Sequence, residues 1–147
     1  MNMQASDLSA RLLATENLSV IRANARTASF DIKSRVLTLP MWKEMSPEIE
    51  DMLIGHEVGH ALDTPSAEIY KKTAEDIAAK IFPNEKISDA LARTVSGFLN
   101  VIEDARIDKR QKRRYPGLRK NYLLGYKELI DRDFFGTKNR DINGMNF

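Results

Sequence analysis

The chain has 147 residues, 30% of them charged and 42% hydrophobic, which indicates one globular domain with a sizeable core. It contains no cysteine, which excludes both a disulfide framework and a thiolate metal site. Any bound metal must therefore be held by histidine, aspartate or glutamate, and the net charge of +2 does not by itself indicate a nucleic-acid-binding protein.

Neither a membrane span nor a targeting signal is evident in the sequence. No apolar run approaches the length that crosses a bilayer, and the first seven residues lack the basic and then apolar pattern of a signal peptide. The sequence therefore predicts a cytoplasmic protein without a membrane partner.

The first forty residues predict one helix and a small sheet. Residues 6–14 form a short helix capped by Ser6 or Asp7, and residues 18–23 contain enough β-branched side chains to form a strand. Alternating apolar and polar residues over 28–40 predict a hairpin that ends at a proline. The fold class is thus α+β, mostly helical, with a sheet of about three strands. An edge strand of this sheet either pairs with an extended substrate or merely covers the core.

Four further helices are predicted after the sheet. Ser46 is the expected cap of the first, Pro47 occupies its first position, and this helix runs to about Leu62. The other three helices are expected over residues 67–82, 88–114 and 118–135. We expect one domain over residues 1–135 and a linker or tail over 136–147, where a longer chain could have been cut.

Both histidines of the chain lie in a His-Glu-x-x-His motif within the first of these helices. His56 and His60 are four residues apart, so their imidazoles lie on one helix face and can bind one zinc ion. Glu57 is then the expected general base, because it can take a proton from a water molecule that the metal acidifies. Gly55 and Gly59 each cost a helix about 1 kcal/mol relative to alanine, which indicates a close approach to this face. The simpler alternative is an amphipathic helix with two hydrogen-bonded histidines.

A catalytic zinc site needs a third protein ligand, which in this chain must be a carboxylate because there is no third histidine. The helix predicted over 88–114 carries two adjacent acidic residues beside its apolar stripe, where burial is costly unless the carboxylate is paired or bound to metal. Glu103 is the expected third ligand. Asp104 is expected to accept a hydrogen bond from the ring N–H of a ligand histidine that points away from the metal. Asn100, one turn before Asp104, is expected to support the site in the same way. The reverse assignment of the two acidic residues stays open, and so does the alternative of solvated charge pairs.

The same helix carries two stripes and a basic end. One stripe, at alternating spacings of four and three, is typical of core-facing side chains: Leu91, Val95, Phe98, Ile102 and Ala105. A second, mixed stripe is rotated from it: Asn100, Glu103, Asp104 and Ile107. The basic residues near the end are Arg106, Lys109, Arg110, Lys112, Arg113 and Arg114. They either complement the helix dipole or bind nucleic acid or an acidic partner. We expect the first, since few aromatic residues interleave with them.

The histidine motif and the segment from Asn100 to Asp108 together resemble a known family. They follow its pattern, His-Glu-x-Gly-His and later Asn-x-x-Glu-Asp-x-Arg-Ile with an acidic residue. The family is the gluzincin-type metallopeptidase domain of phage and bacterial proteins. That domain is often found ahead of a von Willebrand factor A-like domain and is related to a cobalt-chelatase-associated subunit.

The resemblance implies a zincin-like fold with one zinc ion per chain. It implies that His56, His60 and Glu103 hold the metal, that Glu57 is the base and that Asp104 gives structural support. It further implies a peptide or protein substrate, a C-terminal von Willebrand factor A-like domain or partner protein, and the host cytoplasm as location for a phage-encoded member. Because the sequence leaves no room for that second domain, we expect a fragment or a stand-alone version.

Three functions are compatible with these features, and a zinc-dependent endopeptidase is the leading one. It needs a further donor for the oxyanion, and with both histidines committed to metal the candidates are Tyr115, Tyr122, Tyr126 and Arg106. The second function is a non-catalytic module in which the metal joins two helices and the surface binds a partner chain. The third is a basic nucleic-acid-binding domain with an incidental histidine motif, and nucleic acid is the least expected partner.

Overall fold

The computed structural model of the protein describes residues 5–84, 88–141 and 144. Within this part, the elements in chain order are α1 Ala5–Ala14, β1 Ser19–Ala23, β2 Ser29–Asp31, β3 Val36–Pro40, α2 Pro47–Asp63, α3 Ala67–Ile81, α4 Asp89–Arg114 and α5 Leu118–Asp131. The mixed α+β class, mostly helical with a three-stranded sheet, is confirmed, and each predicted element ends within about one helical turn of its expected residue. The side chains of Ser6 and Asp7, the expected caps, lie outside the described residues, as do residues 142–143 and 145–147 of the predicted tail.

The sheet has the order β1-β3-β2, so β3 is its central strand. β2 and β3 form the predicted antiparallel hairpin, and β1 pairs with β3 in parallel. The Oδ1 atom of Asp31 accepts the backbone N–H groups of Lys33 and Ser34, both at 2.8 Å, and Arg35 closes the turn with a φ of 58°. β3 faces the core through Leu37, which is fully buried. Because β3 is central, β2 lies at an edge of the sheet.

The central helix is α2, which packs against α1, α4, α5 and the sheet. The Ser46 hydroxyl accepts the Ile49 N–H at 3.2 Å, and Pro47 takes the first position, as the sequence predicts. Its apolar residues are buried: Ile49, Met52, Leu53, Ile54 and Val58. Both motif histidines therefore lie on a helix that its neighbours hold on several sides. In the part of the chain that the structure describes, no helix combines the length and apolarity needed to cross a membrane.

Two glycines of α2 allow neighbouring helices to come close to its histidine face. A Cβ added to Gly59 would lie 3.0 Å from the Cγ of Gln111 and 3.2 Å from Ile107, both on α4. A Cβ added to Gly55 would lie 3.1 Å from Leu118 of α5. Gln111 is fully buried, and its Nε2 donates to the Gly55 carbonyl at 2.9 Å. The close approach predicted from the two glycines is confirmed, and α4 and α5 make it.

A similar contact on α5 predicts opposite effects for two glycine substitutions. A Cβ on Gly125 would lie 2.8 Å from the sulfur of Met52 and 3.3 Å from the backbone oxygen of Glu48, whereas a Cβ on Gly97 would meet nothing within 4 Å. Gly97→Ala should raise the free energy of unfolding by up to about 1 kcal/mol through helix propensity. Gly125→Ala should lower it by up to about 2 kcal/mol, because overpacking of about 1–3 kcal/mol exceeds that gain. Urea denaturation measures both, and equal shifts of the same sign would contradict the packing.

The predicted core-facing stripe of α4 is wrong over its second half. Phe98 is 63% exposed and Ile102 is 65% exposed, and Ala105 is exposed as well. Only the first part of α4 packs as expected, where Val95 lies against α3. The second half turns a mixed face toward α2, with four buried residues: Glu103, Ile107, Asp108 and Gln111. The reason is that α2 offers polar partners on its histidine face, so buried polar side chains of α4 are satisfied there.

The basic end of α4 binds the end of α2. Arg110 and Arg114 pair with the Asp63 carboxylate at 2.9 and 3.0 Å, and Arg106 donates to the Asp63 carbonyl at 2.7 Å. Burial would raise the pKa of Asp63, but the hydrogen bond and charges of Arg114 and the other arginines hold it below its usual value. Half of the basic cluster thus serves an interhelical contact, which favours a structural role over a nucleic-acid surface.

Candidate metal centre

The two histidines of α2 and Asp104 of α4 converge on one point. Asp104 Oδ1 lies 3.3 Å from His60 Nε2 and 3.9 Å from His56 Nε2. One ligand atom from each of the three residues lies within 4.8 Å of the other two. Two ligand atoms that bind zinc tetrahedrally at about 2.0–2.1 Å are themselves roughly 3.4 Å apart. The spacing is therefore compatible with three ligands around one ion.

The hydrogen bond on the far side of His56 fixes which of its nitrogens faces this point without a proton. His56 Nδ1 lies 2.8 Å from Asp108 Oδ1, and the Tyr126 hydroxyl donates to the other carboxylate oxygen at 3.0 Å. Burial would raise the pKa of Asp108, but the hydrogen bond with His56 and the two nearby tyrosines hold it low. Because an ionised carboxylate only accepts, Nδ1 of His56 carries a hydrogen, and in the neutral ring Nε2 then has the lone pair.

The second histidine has a different neighbour. His60 Nδ1 lies 2.8 Å from the Thr64 hydroxyl, which in turn donates to Glu103 Oε1 at 2.8 Å. Arg106 binds both oxygens of Glu103 at 2.7 Å, and this hydrogen bond is the main reason that the pKa of Glu103 is lowered. With the Thr64 hydrogen directed to Glu103, the Thr64 oxygen accepts from His60 Nδ1, so in the neutral ring Nε2 of His60 also has the lone pair.

Two nitrogen lone pairs and one carboxylate oxygen thus face each other at this point. Asp104 Oδ1 is buried and has no hydrogen-bond partner, whereas Oδ2 has Asn100 Nδ2 at 3.4 Å. An unpaired buried acceptor costs about 1–3 kcal/mol, and more when it is charged. A cation would satisfy all three atoms at once, and the nitrogen and oxygen donors are of the kinds that bind Zn²⁺. The residues present therefore fit a metal ion.

The structure brings Asp104 rather than Glu103 close to the two histidines, which is the arrangement of the alternative that the sequence left open. Glu103 is directed away by its own neighbour three residues on, since the guanidinium of Arg106 holds both of its oxygens. The acceptor behind a histidine is Asp108, which the sequence did not single out for this role. Thr64 was also missed, and its only sequence signal is its position four residues after His60.

Glu57 has the properties of a base within the same cleft. It is 6% exposed, and burial raises its pKa, although the neighbouring imidazoles partly oppose this. A glutamate with a raised pKa is better matched to proton transfer near neutral pH than an ordinary one. Glu57 therefore lines the same cleft as the two histidines, and its role as a base stays a prediction.

The four expected oxyanion donors occupy different places. Tyr115 donates to the backbone carbonyl of Leu13 at 2.7 Å, and Arg106 is bound to Glu103. Tyr122 is 2% exposed, and burial beside Asp108 raises its pKa. Of the four, Tyr126 alone lines the cleft.

The remaining tyrosine of the chain, Tyr70, which the sequence did not single out, also lines the cleft. The Tyr70 hydroxyl donates to the Ser96 carbonyl at a long 3.4 Å, and burial together with the charges of Glu103 and Asp104 raises its pKa. The two cleft-lining candidates for a donor to the oxyanion are therefore Tyr126 and Tyr70. Either hydroxyl must leave its present acceptor, Asp108 Oδ2 or the Ser96 carbonyl, before it can donate there.

The cleft has a volume of about 680 Å³ and extends from the histidines to the sheet. Ser29 and Phe30 of the edge strand β2 line one wall, together with Ile32 after the strand. Much of the remaining lining on this side is apolar: Met52, Leu53, Leu129, Phe134 and Phe135. In the described residues, β2 pairs only with β3, so its other edge is free to pair with an extended chain.

Comparisons of the chain with protein-family models, with curated proteins and with solved structures found no match. The chemistry of the site therefore rests on the residues and distances above.

Proposed function

We propose that the chain is a zinc-dependent peptidase with His56, His60 and Asp104 as metal ligands and Glu57 as general base. One observation carries the proposal. The buried Asp104 Oδ1 has no hydrogen-bond partner and faces the Nε2 atoms of two histidines whose hydrogens are both engaged on the opposite side. A buried glutamate with a raised pKa lies in the same open cleft.

The metal, when bound, would polarise the substrate carbonyl and lower the pKa of a water molecule. Glu57 would accept the proton of the attacking water and return it to the departing amine. Tyr126 or Tyr70 would donate a hydrogen bond to the oxygen of the carbonyl as negative charge develops on it. Each of these roles belongs to a side chain that lines the cleft.

The cleft also supports a proposal for the substrate. An extended peptide would pair its backbone with the free edge of β2, as an added strand. Its side chains would alternate between solvent and the apolar lining around Phe30 and Leu129. We therefore propose an unfolded or loop segment of a protein, with a large apolar side chain near the bond that is cleaved.

Metal analysis tests the proposal directly. The purified protein is expected to contain about one zinc ion per chain, to cleave an unfolded protein substrate and to lose cleavage on chelation. Chelation should also lower the melting temperature, because an ion that binds only the folded state stabilises it. Elemental analysis, a gel assay with zinc re-addition, and thermal melts give the three readings. Wild-type protein that takes up no stoichiometric metal would overturn the proposal.

A second function is favoured by the origin of the ligands on two helices. A metal held by α2 and α4 would stabilise their contact even without catalysis, and the domain would then bind a partner such as a von Willebrand factor A-like domain. This alternative predicts metal content and the same melting behaviour without cleavage. Removal of the Glu57 carboxylate distinguishes it from a peptidase.

A further inference from the structure

Thr64 is the residue at which α2 ends. Its backbone N–H donates to the His60 carbonyl at 3.1 Å, and its own backbone is extended, with φ −82° and ψ 130°. Its hydroxyl lies 2.8 Å from His60 Nδ1 and 2.8 Å from Glu103 Oε1. One residue therefore contacts both the main chain and the ring of the same histidine.

The next residues outward set the direction of these hydrogen bonds. Arg106 holds both oxygens of Glu103 and also donates to the carbonyl of Asp63, the residue before Thr64. Glu103, held by a guanidinium, is an acceptor only. The single hydroxyl hydrogen of Thr64 is used on Glu103, so Thr64 can only accept from His60. The order of donors is thus His60 to Thr64 to Glu103, with Arg106 donating to Glu103 from the other side.

We propose that Thr64 is a positioning residue for His60, holding the imidazole in the tautomer that presents the Nε2 lone pair. The inference rests on the metal site proposed above, and it gives Glu103 and Arg106 a role without metal contact. The two histidines are then held by different means, His56 by a carboxylate directly and His60 by a hydroxyl that a carboxylate orients. Removal of such an outer partner typically weakens metal binding by about 10- to 100-fold.

Two substitutions in the full chain separate this role from mere packing. Thr64→Val keeps the shape and removes the hydroxyl, whereas Thr64→Ser keeps the hydroxyl and removes a methyl group. Zinc affinity, measured by competition with a chromophoric chelator, should fall by about 10- to 100-fold in Thr64→Val. Thr64→Ser should bind zinc nearly as tightly as the wild type. Equal affinities of Thr64→Val and wild type would overturn the inference.

The metal-free protein gives a second reading that needs no loaded enzyme. The chain has only two histidines, so isotope-labelled protein shows two imidazoles in long-range nitrogen–proton NMR spectra. At a pH where both rings are neutral, wild-type His60 should carry its hydrogen on Nδ1. In Thr64→Val it should populate both tautomers, while His56, held by Asp108, stays unchanged. Wild-type His60 with its hydrogen on Nε2 would overturn the inference even if Thr64→Val fails to fold.

The two proposals fail in different ways. If the wild type binds no zinc, the peptidase proposal fails, yet the tautomer of His60 in the metal-free protein still tests Thr64. If the wild type binds zinc and cleaves substrate but Thr64→Val does both equally well, only the positioning role fails.

Discussion

Replacement of Glu57 by glutamine is expected to abolish peptide hydrolysis while leaving the zinc content at that of the wild type. The amide has the size of the carboxylate but cannot take a proton from water. General base catalysis contributes about 100- to 10,000-fold, so kcat/KM should fall by at least that range. Metal should stay bound because Glu57 is not among the three converging ligands. A fluorogenic peptide assay and elemental analysis of the same preparation measure the two effects.

Glu48 offers a matched control on the same helix. It lies in the first turn of α2 and is not among the residues that line the cleft, so Glu48→Gln should change the helix dipole interaction and little else. Its kcat/KM and zinc content should equal those of the wild type. If Glu57→Gln still cleaves substrate at the wild-type rate, Glu57 is not the base. If it loses its zinc, its role is to support the site, and the non-catalytic module becomes the better proposal.

Much of the fold could be predicted from the sequence because its helices begin at explicit signals. Ser46, Ser66 and Ser88 each accept the backbone N–H of the residue three positions later. The hairpin is likewise bounded by turn chemistry at Asp31 and by a proline at the end of β3. These are local interactions, and their energies do not depend on what the element later packs against.

The rotation of α4 could not be predicted, because it depends on its neighbour. Adjacent residues on a helix differ by about 100° around its axis, so Glu103 and Asp104 cannot both face the histidines in the same way. The apolar stripe containing Phe98 and Ile102 suggested one rotation, but the structure leaves these two side chains exposed. The rotation of α4 is decided by α2, whose face carries two imidazoles and two glycines. The polar stripe of α4 can form hydrogen bonds with these imidazoles, and the apolar stripe cannot.

In the site, as in the fold, the relations within one helix could be predicted and those between helices could not. His56, His60 and Glu57 belong to one helix, where spacing alone fixes their relation. The roles of Asp108 and Tyr70 arise from contacts between separate helices that no spacing in the sequence encodes. Thr64 has one local signal, its position four residues after His60, but its contact with Glu103 of α4 has none. Arg106 is the clearest case, since its attachment to Glu103 decides which of two adjacent acidic residues is left to face the metal point.

Substitution of Asp104 by asparagine is expected to abolish stoichiometric zinc binding, whereas Glu103→Gln should retain it. Asp104→Asn removes the carboxylate charge that faces the two imidazoles, so the loss of affinity should exceed the 10- to 100-fold that outer partners cause. Glu103→Gln keeps an oxygen for Thr64 and weakens only the contact with Arg106, so its loss should be about 100-fold at most. Competition with a chromophoric chelator ranks the two variants on one scale.

The stability of the metal-free variants should move in opposite directions, which makes the comparison independent of affinity. Asp104→Asn replaces the carboxylate whose buried Oδ1 has no partner with a neutral amide, whose N–H can donate to the Nε2 lone pair of His60, so the metal-free melting temperature should rise. Glu103→Gln leaves Arg106 with a neutral partner where it had an ionised one, so that melting temperature should fall. Added zinc should raise the melting temperature of Glu103→Gln but not that of Asp104→Asn. Loss of zinc in Glu103→Gln but not in Asp104→Asn would invert the expected ranking of zinc affinities. Glu103 would then have to leave Arg106 to bind the ion, and the metal site would form by a rearrangement of α4 side chains.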